Sequence, residues 1–213
     1  NKKRVNIVND FNYLSILDSL FVKYHPDFIF YFAAVHFSFS EINKNIDDRD
    51  LNNMTFTNYF LPLHIIKSCL LSNKLTKVLF ASSSLIFAES KESPQTEESL
   101  RNPSCIYGKQ KCMVEGFFSS LCSNSNIKAY TAILYNHESV FRKSKFFTKK
   151  LISFCSNFSQ LENKKKLQLF NKNSKIDVGY APEYVDAMYK LLMKGKPGSY
   201  IFSTQQLLEV NEI

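Results

Sequence analysis

Short runs of apolar residues alternate along the chain with longer segments in which apolar residues recur at helical spacing. From Leu14 to Tyr24 they recur every three or four residues, which predicts an amphipathic helix that stops before Pro26. The segment Phe28 to Phe32 is continuously apolar, which is typical of a parallel strand buried on both faces. A further short strand is predicted at Val5 to Val8. The chain therefore begins with the strand and helix alternation of an α/β protein.

The same alternation continues to the end of the sequence. Further helices are predicted over Asn53 to Leu71, Tyr107 to about Cys122, Phe146 to Phe158 and Pro182 to Met193, and further strands over Val78 to Ala81, Lys128 to Tyr135, Lys166 to Phe170 and Ser199 to Ser203. The polar stretch from Glu41 to Asp50 predicts a loop, and Pro62 is expected to kink the long helix that contains it. We predict an α/β fold with a doubly wound, mostly parallel sheet.

Small or polar residues lie at the carboxyl ends of four predicted strands. They are Asp10, Ala33 with Ala34, Ser82 to Ser84, and Asn136 with His137. In open parallel sheets, ligands bind beyond the carboxyl ends of the strands. We therefore expect these residues to form one site.

Tyr107 and Lys111 are four residues apart on a predicted helix and lie on the same face of it. A neighbouring ammonium group favours the phenolate, so we expect Lys111 to lower the pKa of Tyr107 and make it a proton acceptor near neutral pH. Ser83, at the carboxyl end of the preceding strand, is placed to hydrogen-bond a substrate hydroxyl. Tyr and Lys also meet this spacing by chance, and the alternative is a half-buried tyrosine beside a surface lysine. The serine-capped strand upstream favours the catalytic interpretation.

The chain of 213 residues is basic, with 27 Lys and Arg against 19 acidic residues and a net charge of +8. A basic surface is typical of nucleic-acid binding. Here the charges are scattered, with only short runs such as Lys164 to Lys166, so we predict no nucleic-acid partner. A basic cleft also suits a nucleotide diphosphate. The longest apolar run, Phe28 to Val35, is far shorter than the roughly 18 residues of a membrane span, and no membrane association is predicted.

The five cysteines are spread along the sequence without a C-x-x-C pair. They are Cys69, Cys105, Cys112, Cys122 and Cys155. Their spacing matches no metal site, and the odd count is typical of reduced thiols. We therefore expect no bound metal and a cytoplasmic location.

Several segments resemble the GDP-mannose 4,6-dehydratases, a group of extended short-chain dehydrogenase/reductases in the NAD-dependent epimerase/dehydratase family. The segments are PDFIFYFAA, FASSS, SPQTEE, YGKQK, ILYNHES, FFTKKLI and DVGYAPEYVDAM. The NHES segment with the later T-[RK]-K motif is more specific to this group than Tyr-x-x-x-Lys. The resemblance covers nearly all of residues 5 to 213.

This resemblance implies a Rossmann-like fold that is incomplete at its N-terminus. Residues 1–135 would form a partial NADP-binding domain, and residues 136–213 would combine part of the Rossmann sheet with part of a small substrate-binding domain. Family members begin with a strand, a G-x-x-G-x-x-G turn and a helix that hold the dinucleotide phosphates. The five glycines of this chain include no such turn. We expect either a truncated sequence or a protein with an incomplete cofactor site.

The resemblance also implies roles for individual residues. Tyr107 and Ser83 would act on the C4 hydroxyl of GDP-mannose, with hydride passing to NADP, and Asn136 would bind the substrate near its diphosphate. The implied cofactor-binding residues are Asp10 and Phe11 near the adenine, Phe32, Ala33 and Ala34 along the cofactor, Lys111 at the nicotinamide ribose, and His137 and Arg142. Alternatives stay open: Asp10 as a helix cap, His137 as a core histidine, Arg142 as a solvated cation, and the alanines as tight packing.

The chain departs from the family pattern mildly at Phe87 and Ala88 and more seriously at Leu85 and Ile176. Elimination of water needs a base for the C5 proton, and the glutamate expected two residues after the serine is Leu85, with Glu89 nearby in sequence. Ile176 replaces an arginine expected near the diphosphate.

Three functions therefore remain open. The first is a GDP-mannose 4,6-dehydratase-like enzyme that forms the GDP-4-keto-6-deoxy sugar. The second is a nucleotide-sugar epimerase or oxidoreductase without elimination, and the third is an inactive Rossmann-like structural subunit. The resemblance favours the first, in a homo-oligomer.

Overall fold

The computed structural model describes residues 12–37, 47–72, 74–88, 92–121, 126–144, 146–156 and 174–210. Its helices are α1 (Asn12–Tyr24), α2 (Asp48–Thr55), α3 (Leu61–Leu71), α4 (Ile106–Ser120), α5 (Phe147–Ser156) and α6 (Ala181–Lys194). Its strands are β1 (Phe28–Tyr31), β2 (Thr76–Ser83), β3 (Ile127–Leu134), β4 (Asn136–Glu138), β5 (Lys175–Ile176), β6 (Val178–Tyr180), β7 (Gly198–Phe202) and β8 (Leu208–Glu209). None of the helices in these ranges is long and apolar enough to cross a membrane. The strands predicted at residues 5–8 and 166–170 lie outside the described residues.

Four parallel strands form the main sheet in the order β1-β2-β3-β7. Val78 of β2 aligns with Ile29 of β1 and with Ala129 of β3, and Ala132 of β3 aligns with Tyr200 of β7. Beyond the sheet, β4 pairs in parallel with β6, and β5 pairs antiparallel with β8. The segment after residue 135 thus contributes both a strand of the main sheet and the two small strand pairs.

Helices cover both faces of the sheet, which confirms the predicted α/β class. On one face α1, α3 and α4 pack against Val78 and Phe80 of β2. On the other face Met188 and Leu192 of α6 pack against Leu79. Successive residues of β2 therefore point into opposite layers, which is why this strand is apolar throughout.

β1 differs from the expected strand buried on both faces. Tyr31 is 5% exposed and packs into the core beside α3, but Phe28, Phe30 and Phe32 are 42%, 39% and 49% exposed. Within the described ranges β1 pairs with β2 alone, and α6 packs over β2 and β3. The apolar run therefore belongs to a strand whose Tyr31 side packs in the core, while the side that carries Phe28 and Phe30 is exposed. We call this exposed side the open face of β1.

The long helix predicted from Asn53 begins earlier, at Asp48, and contains a widened turn. Asp47 Oδ1 accepts the N–H of Asp50 at 2.8 Å, so α2 begins inside the stretch that we expected to be a loop. The residues Phe56–Phe60 between α2 and α3 form a π turn. Pro62 has no N–H to bond the carbonyl four residues before it. In place of the predicted kink at Pro62, the helix widens into a π turn just before this proline.

Candidate active site

The helix α4 carries Tyr107 and Lys111 on its sheet-facing side. Gly108 lets the helix approach the turn after β2, because a Cβ at this position would lie 2.7 Å from the Leu85 carbonyl oxygen. Lys111 is 1% exposed, and its Nζ donates to the Ala81 carbonyl at 2.7 Å. The same Nζ lies 5.5 Å from the centroid of the Tyr107 ring. The tyrosine and the lysine thus face each other near the carboxyl end of β2.

Burial governs the ionisation of both groups. It lowers the pKa of Lys111 to about 7 and raises the pKa of Tyr107 to about 12, with a further increase from Cys105. The expectation that Lys111 lowers the pKa of Tyr107 is therefore wrong for this structure. The ammonium group is itself removed from water and donates to a backbone carbonyl, so desolvation of the phenolate outweighs its attraction to the cation.

Ser83 ends β2 and caps the 3-10 turn formed by Ser84–Phe87. Its Oγ accepts the N–H of Leu85 at 3.3 Å. Because the oxygen accepts from the backbone, the Ser83 O–H can donate to a ligand oxygen. Leu85 lies in the same turn, with its carbonyl against Gly108 of α4. The position at which the family has a glutamate therefore borders the helix that carries Tyr107, but the leucine side chain cannot accept a proton.

A cleft of about 580 Å³ opens beyond the carboxyl ends of β1 and β3. The lining residues come from the segments after β1 and after β3 and from the start of α6, and they are Ala34, Val35, His36, Phe37, His137, Ser139, Phe141, Arg142, Lys143, Phe146 and Ala181. The cleft brings together Ala34, His137 and Arg142, three of the predicted cofactor-binding residues. Its place is the one at which parallel sheets bind ligands.

Nearby groups orient two of the basic side chains in this cleft. His137 Nδ1 lies 2.8 Å from the Tyr135 carbonyl, so this nitrogen carries the proton. The Arg142 guanidinium carbon lies 3.8 Å from the centroid of the Phe146 ring, and its Nε lies 3.4 Å from Glu138 Oε2. This buried Nε has no hydrogen-bond partner among the residues described. A guanidinium group stacked on an aromatic ring with an unused donor is suited to an anionic ligand.

The other predicted ligand-binding residues lie away from the cleft lining or outside the described ranges. Phe32 stacks on Phe30, with ring centroids 6.0 Å apart, on the open face of β1, and Ala33 is exposed beside it. Asn136 is exposed on β4. Asp10, Phe11 and Glu89 are outside the described residues.

Sequence reasoning missed two residues of this region, Asn58 and His36. Asn58 is fully buried in the π turn: its Oδ1 accepts the N–H of Val35 at 3.0 Å, and its Nδ2 donates to the Val35 carbonyl at 2.8 Å. The same Nδ2 lies 3.1 Å from Gln110 Oε1 on α4. His36 lies edge-on against Tyr107, with ring centroids 4.6 Å apart. Its position just after the alanines that follow β1 was a usable signal, whereas no sequence pattern marks Asn58.

A doubly wound parallel sheet with a tyrosine and a buried lysine on one helix, beside a cleft at its carboxyl edge, defines a fold of the short-chain dehydrogenase type. The family model for GDP-mannose 4,6 dehydratase matches residues 2–213, and the chain belongs to this family. The GDP-mannose 4,6 dehydratase of Dictyostelium discoideum is 29% identical over 203 residues, which are 93% of this chain and 54% of the relative. That of Cricetulus griseus is 32% identical over 152 residues, which are 70% of this chain and 40% of the relative. The chain thus spans about half the length of these curated relatives.

Solved structures share the fold at low identity. RMD from Pseudomonas aeruginosa complexed with NADPH superimposes with a TM-score of 0.83 and 17% identity, over 99% of this chain and 70% of that chain. A UDP-N-acetylglucosamine 4-epimerase from Methanobrevibacter ruminantium M1, in complex with UDP-N-acetylmuramic acid, gives a TM-score of 0.77 and 18% identity. It covers 92% of this chain and 60% of that chain. The Rossmann-like architecture inferred from the sequence is confirmed.

Proposed function

We propose that this chain carries the sugar-oxidising site of a nucleotide-sugar dehydratase, with GDP-mannose as substrate and NADP as cofactor. The observation that carries the proposal is the buried Lys111, whose Nζ lies between the Ala81 carbonyl and the Tyr107 ring. A buried ammonium group with a carbonyl and aromatic rings as its described partners is costly for folding. Its presence beside a tyrosine at the carboxyl end of a parallel strand supports a role in the reaction. The family match and the names of the relatives support the choice of substrate.

The cofactor would be held across the cleft beside Tyr107. Ala34, His137 and Arg142 line this cleft, and the stacked guanidinium group of Arg142 suits a phosphate or a carboxamide oxygen. The first glycine in the sequence is Gly108, which packs against Leu85, so this chain has no glycine-rich turn for the diphosphate. Its residues therefore fit only part of the dinucleotide. When bound, the oxidised nicotinamide accepts the hydride from the sugar carbon.

The chain divides into parts of two domains, and five further residues contact the cofactor or the substrate. Residues 1–135 form part of the NADP-binding domain, and residues 136–213 combine part of its sheet with part of a substrate-binding domain. Further cofactor contacts are assigned to Asp10, Phe11, Phe32 and Ala33, and a substrate contact to Asn136.

The protein's own residues handle the proton of the sugar hydroxyl. Ser83 donates a hydrogen bond to the C4 oxygen and orients it, and Tyr107 accepts the proton as C4 is oxidised. Burial raises the pKa of Tyr107 to about 12, so transfer of the proton to Tyr107 needs a cation nearby, and Lys111 Nζ lies 5.5 Å from the ring centroid. Lys111, whose pKa is lowered to about 7, can lose and regain its proton near neutral pH.

Leu85 favours a second candidate, an epimerase or oxidoreductase that oxidises the sugar without eliminating water. Its side chain has no proton acceptor, and its backbone lies against the helix of Tyr107. Oxidation at C4 needs Ser83, Tyr107 and Lys111, all of which are present. Elimination needs a further base.

Incubation of the full natural protein with NADP and GDP-mannose tests both candidates. We expect NADPH in a single turnover, followed by the GDP-4-keto-6-deoxy sugar in the mass spectrum, and neither in the Tyr107→Phe variant. NADPH without the deoxy sugar would support the second candidate. Folded, cofactor-loaded protein that forms neither would refute both and support a structural subunit.

We also propose a homo-oligomer in the cytoplasm. Met113 and Phe117 on the outer face of α4 are 51% and 46% exposed, which supports self-association through this helix. Four described cysteines are free thiols, which supports a reducing compartment. Sedimentation of the natural protein and of a Phe117→Glu variant tests the association, and a monomeric wild type would contradict it.

A further inference from the structure

We propose that His36 transfers the proton in the elimination step, in place of the carboxylate that position 85 lacks. The inference rests on the proposed function, because it concerns the same cleft and the same sugar. It follows from where the fold holds His36 and from the other ionisable groups that line the cleft.

The backbone before His36 is held in a fixed relation to the Tyr107 helix. Asn58 binds both the N–H and the carbonyl of Val35, at 3.0 and 2.8 Å, and contacts Gln110 of α4 at 3.1 Å. Gln110 Nε2 in turn donates to Thr55 Oγ1 at 3.1 Å. The segment after β1, the helix pair α2–α3 and α4 are thereby connected through buried and partly buried hydrogen bonds.

His36 packs against Tyr107 at the wall of the cleft. Its ring is edge-on to Tyr107 with a centroid distance of 4.6 Å, and it lines the cleft. Tyr107 acts on the C4 hydroxyl in the proposed function, and C5 is bonded directly to C4. We therefore assign the C5 proton to His36, the cleft histidine in contact with Tyr107.

The other ionisable side chains that line the cleft are less suited to this task. They are His137, Arg142 and Lys143. Arginine and lysine side chains carry hydrogen-bond donors and no acceptor, so they do not take up a proton. His137 donates through Nδ1 to the Tyr135 carbonyl and keeps Nε2 as an acceptor, but its ring packs on Tyr184, with ring centroids 5.4 Å apart. Histidine accepts and releases protons near neutral pH, and His36 is the cleft histidine whose ring contacts Tyr107.

The step balances with one imidazole group. Once C4 is a ketone, the C5–H bond breaks and its proton passes to the neutral imidazole of His36. The electron pair forms the C5=C6 double bond as the C6–O bond breaks. The hydroxyl group leaves as water with the proton from the imidazolium, so His36 returns to its neutral form. A bound reduced nicotinamide would supply the hydride that C6 needs, and a solvent proton would add to C5.

The test separates oxidation from elimination in one experiment. The full natural protein, loaded with NADP, is mixed with GDP-mannose in D₂O, and NADPH and deuterium at C5 of the product are measured. His36→Phe keeps the edge-on aromatic contact but removes the proton acceptor. We expect this variant to form NADPH in a single turnover as the wild type does, and to form the deoxy product at least about 100-fold more slowly.

A matched control removes a histidine far from the cleft. His25 is exposed in the turn after α1 at a φ of +40°, a conformation that asparagine adopts readily. His25→Asn should form the deuterated product at the wild-type rate. Product formation by His36→Phe at the wild-type rate would overturn the assignment. A wild type that forms NADPH without product would also overturn it and leave the proposed oxidation intact.

A rescue and a binding measurement complete the test. Adding Leu85→Glu to His36→Phe should restore the deuterated product, because it supplies a carboxylate beside the Tyr107 helix. In proton NMR, the ring signal lost in His36→Phe should shift when GDP-mannose binds, whereas the His25 signal should not. If no NADPH forms, the proposed function fails. An unmoved His36 signal overturns the inference in either case.

Discussion

Lys111 is almost completely buried, yet the described partners of its Nζ are one backbone carbonyl and two aromatic rings. The Ala81 oxygen lies at 2.7 Å, and the centroids of the Phe80 and Tyr107 rings lie at 4.5 and 5.5 Å. Burial disfavours the ammonium form, whereas the carbonyl and the ring faces favour it. Desolvation is the larger effect, and it lowers the pKa to about 7.

This lowered pKa predicts that the protein becomes more stable between pH 7 and pH 9. In this range the unfolded chain keeps the Lys111 proton and the folded chain releases it, so the free energy of unfolding rises with pH. At roughly 1.4 kcal/mol per pH unit, we expect an increase of about 2 kcal/mol, measured by urea denaturation. The raised pKa values of Cys69 and Tyr107 oppose this rise as the pH approaches and passes their unfolded values of 9.0 and 10.0.

The Lys111→Met variant should lose this pH dependence, because it has no ammonium group to desolvate. The exposed Lys109 on the same helix provides the control, and Lys109→Met should keep the wild-type slope. An equal slope in Lys111→Met and the wild type would contradict the assignment.

The π turn at Phe56–Phe60 shows how one element positions another. It lies between α2 and α3 and directs the buried side chain of Asn58 to the backbone of Val35. The Asn58 side chain thus supplies the hydrogen bonds to the Val35 backbone that a neighbouring strand would otherwise supply. Val35 lies after the end of β1, in the segment that forms one wall of the cleft. π turns of this kind occur frequently at functional sites.

Asn58→Ala should lower both stability and activity. It leaves the N–H and the carbonyl of Val35 without their side-chain partner, and we expect a loss of about 2 to 4 kcal/mol in the free energy of unfolding. NADPH formation should fall as well, since His36 and Tyr107 lose their fixed relation. The exposed Asn52 on α2 is the control, and Asn52→Ala should change stability by less than about 0.5 kcal/mol. Equal thermal unfolding of both variants would contradict this role.

At the scale of the molecule, the described part of the main sheet runs β1-β2-β3-β7 without a reversal of strand order. Doubly wound folds bind dinucleotides at the point where that order reverses. β1 is the edge strand among the described residues, and Phe28 and Phe30 project from its open face at 42% and 39% exposure. The open face of β1 is thus an apolar surface next to the strand end from which the cleft begins.

This surface should bind an apolar dye. Replacing Phe28 and Phe30 together by serine should lower the fluorescence of bound anilinonaphthalene sulfonate at least about twofold, because contiguous exposed apolar groups bind such probes. Val185 is 56% exposed on α6, a different element, and Val185→Ser should change the signal much less than the double variant does. An equal signal from wild type and the double variant would contradict the prediction.

Most helices and strands could be predicted from the sequence, because the spacing of apolar residues along each one reflects which of its faces is buried. β2, β3, β7, α4 and α6 lie close to their predicted bounds. The start of α2 at Asp48 was missed because a charged stretch obscured an aspartate cap. The open face of β1 was missed because an apolar run has the same appearance whether or not a helix covers it.

The sequence by itself determined the α/β class, the family, and the presence of a tyrosine, a lysine and a serine at the carboxyl edge of the sheet. Only the tertiary structure decided that burial raises the pKa of Tyr107 and lowers the pKa of Lys111. It also decided that His36 meets Tyr107 through the Asn58 contact. The physical reason is that periodicity depends on neighbours along the chain, whereas desolvation and side-chain encounter depend on groups that are distant in sequence and adjacent in space.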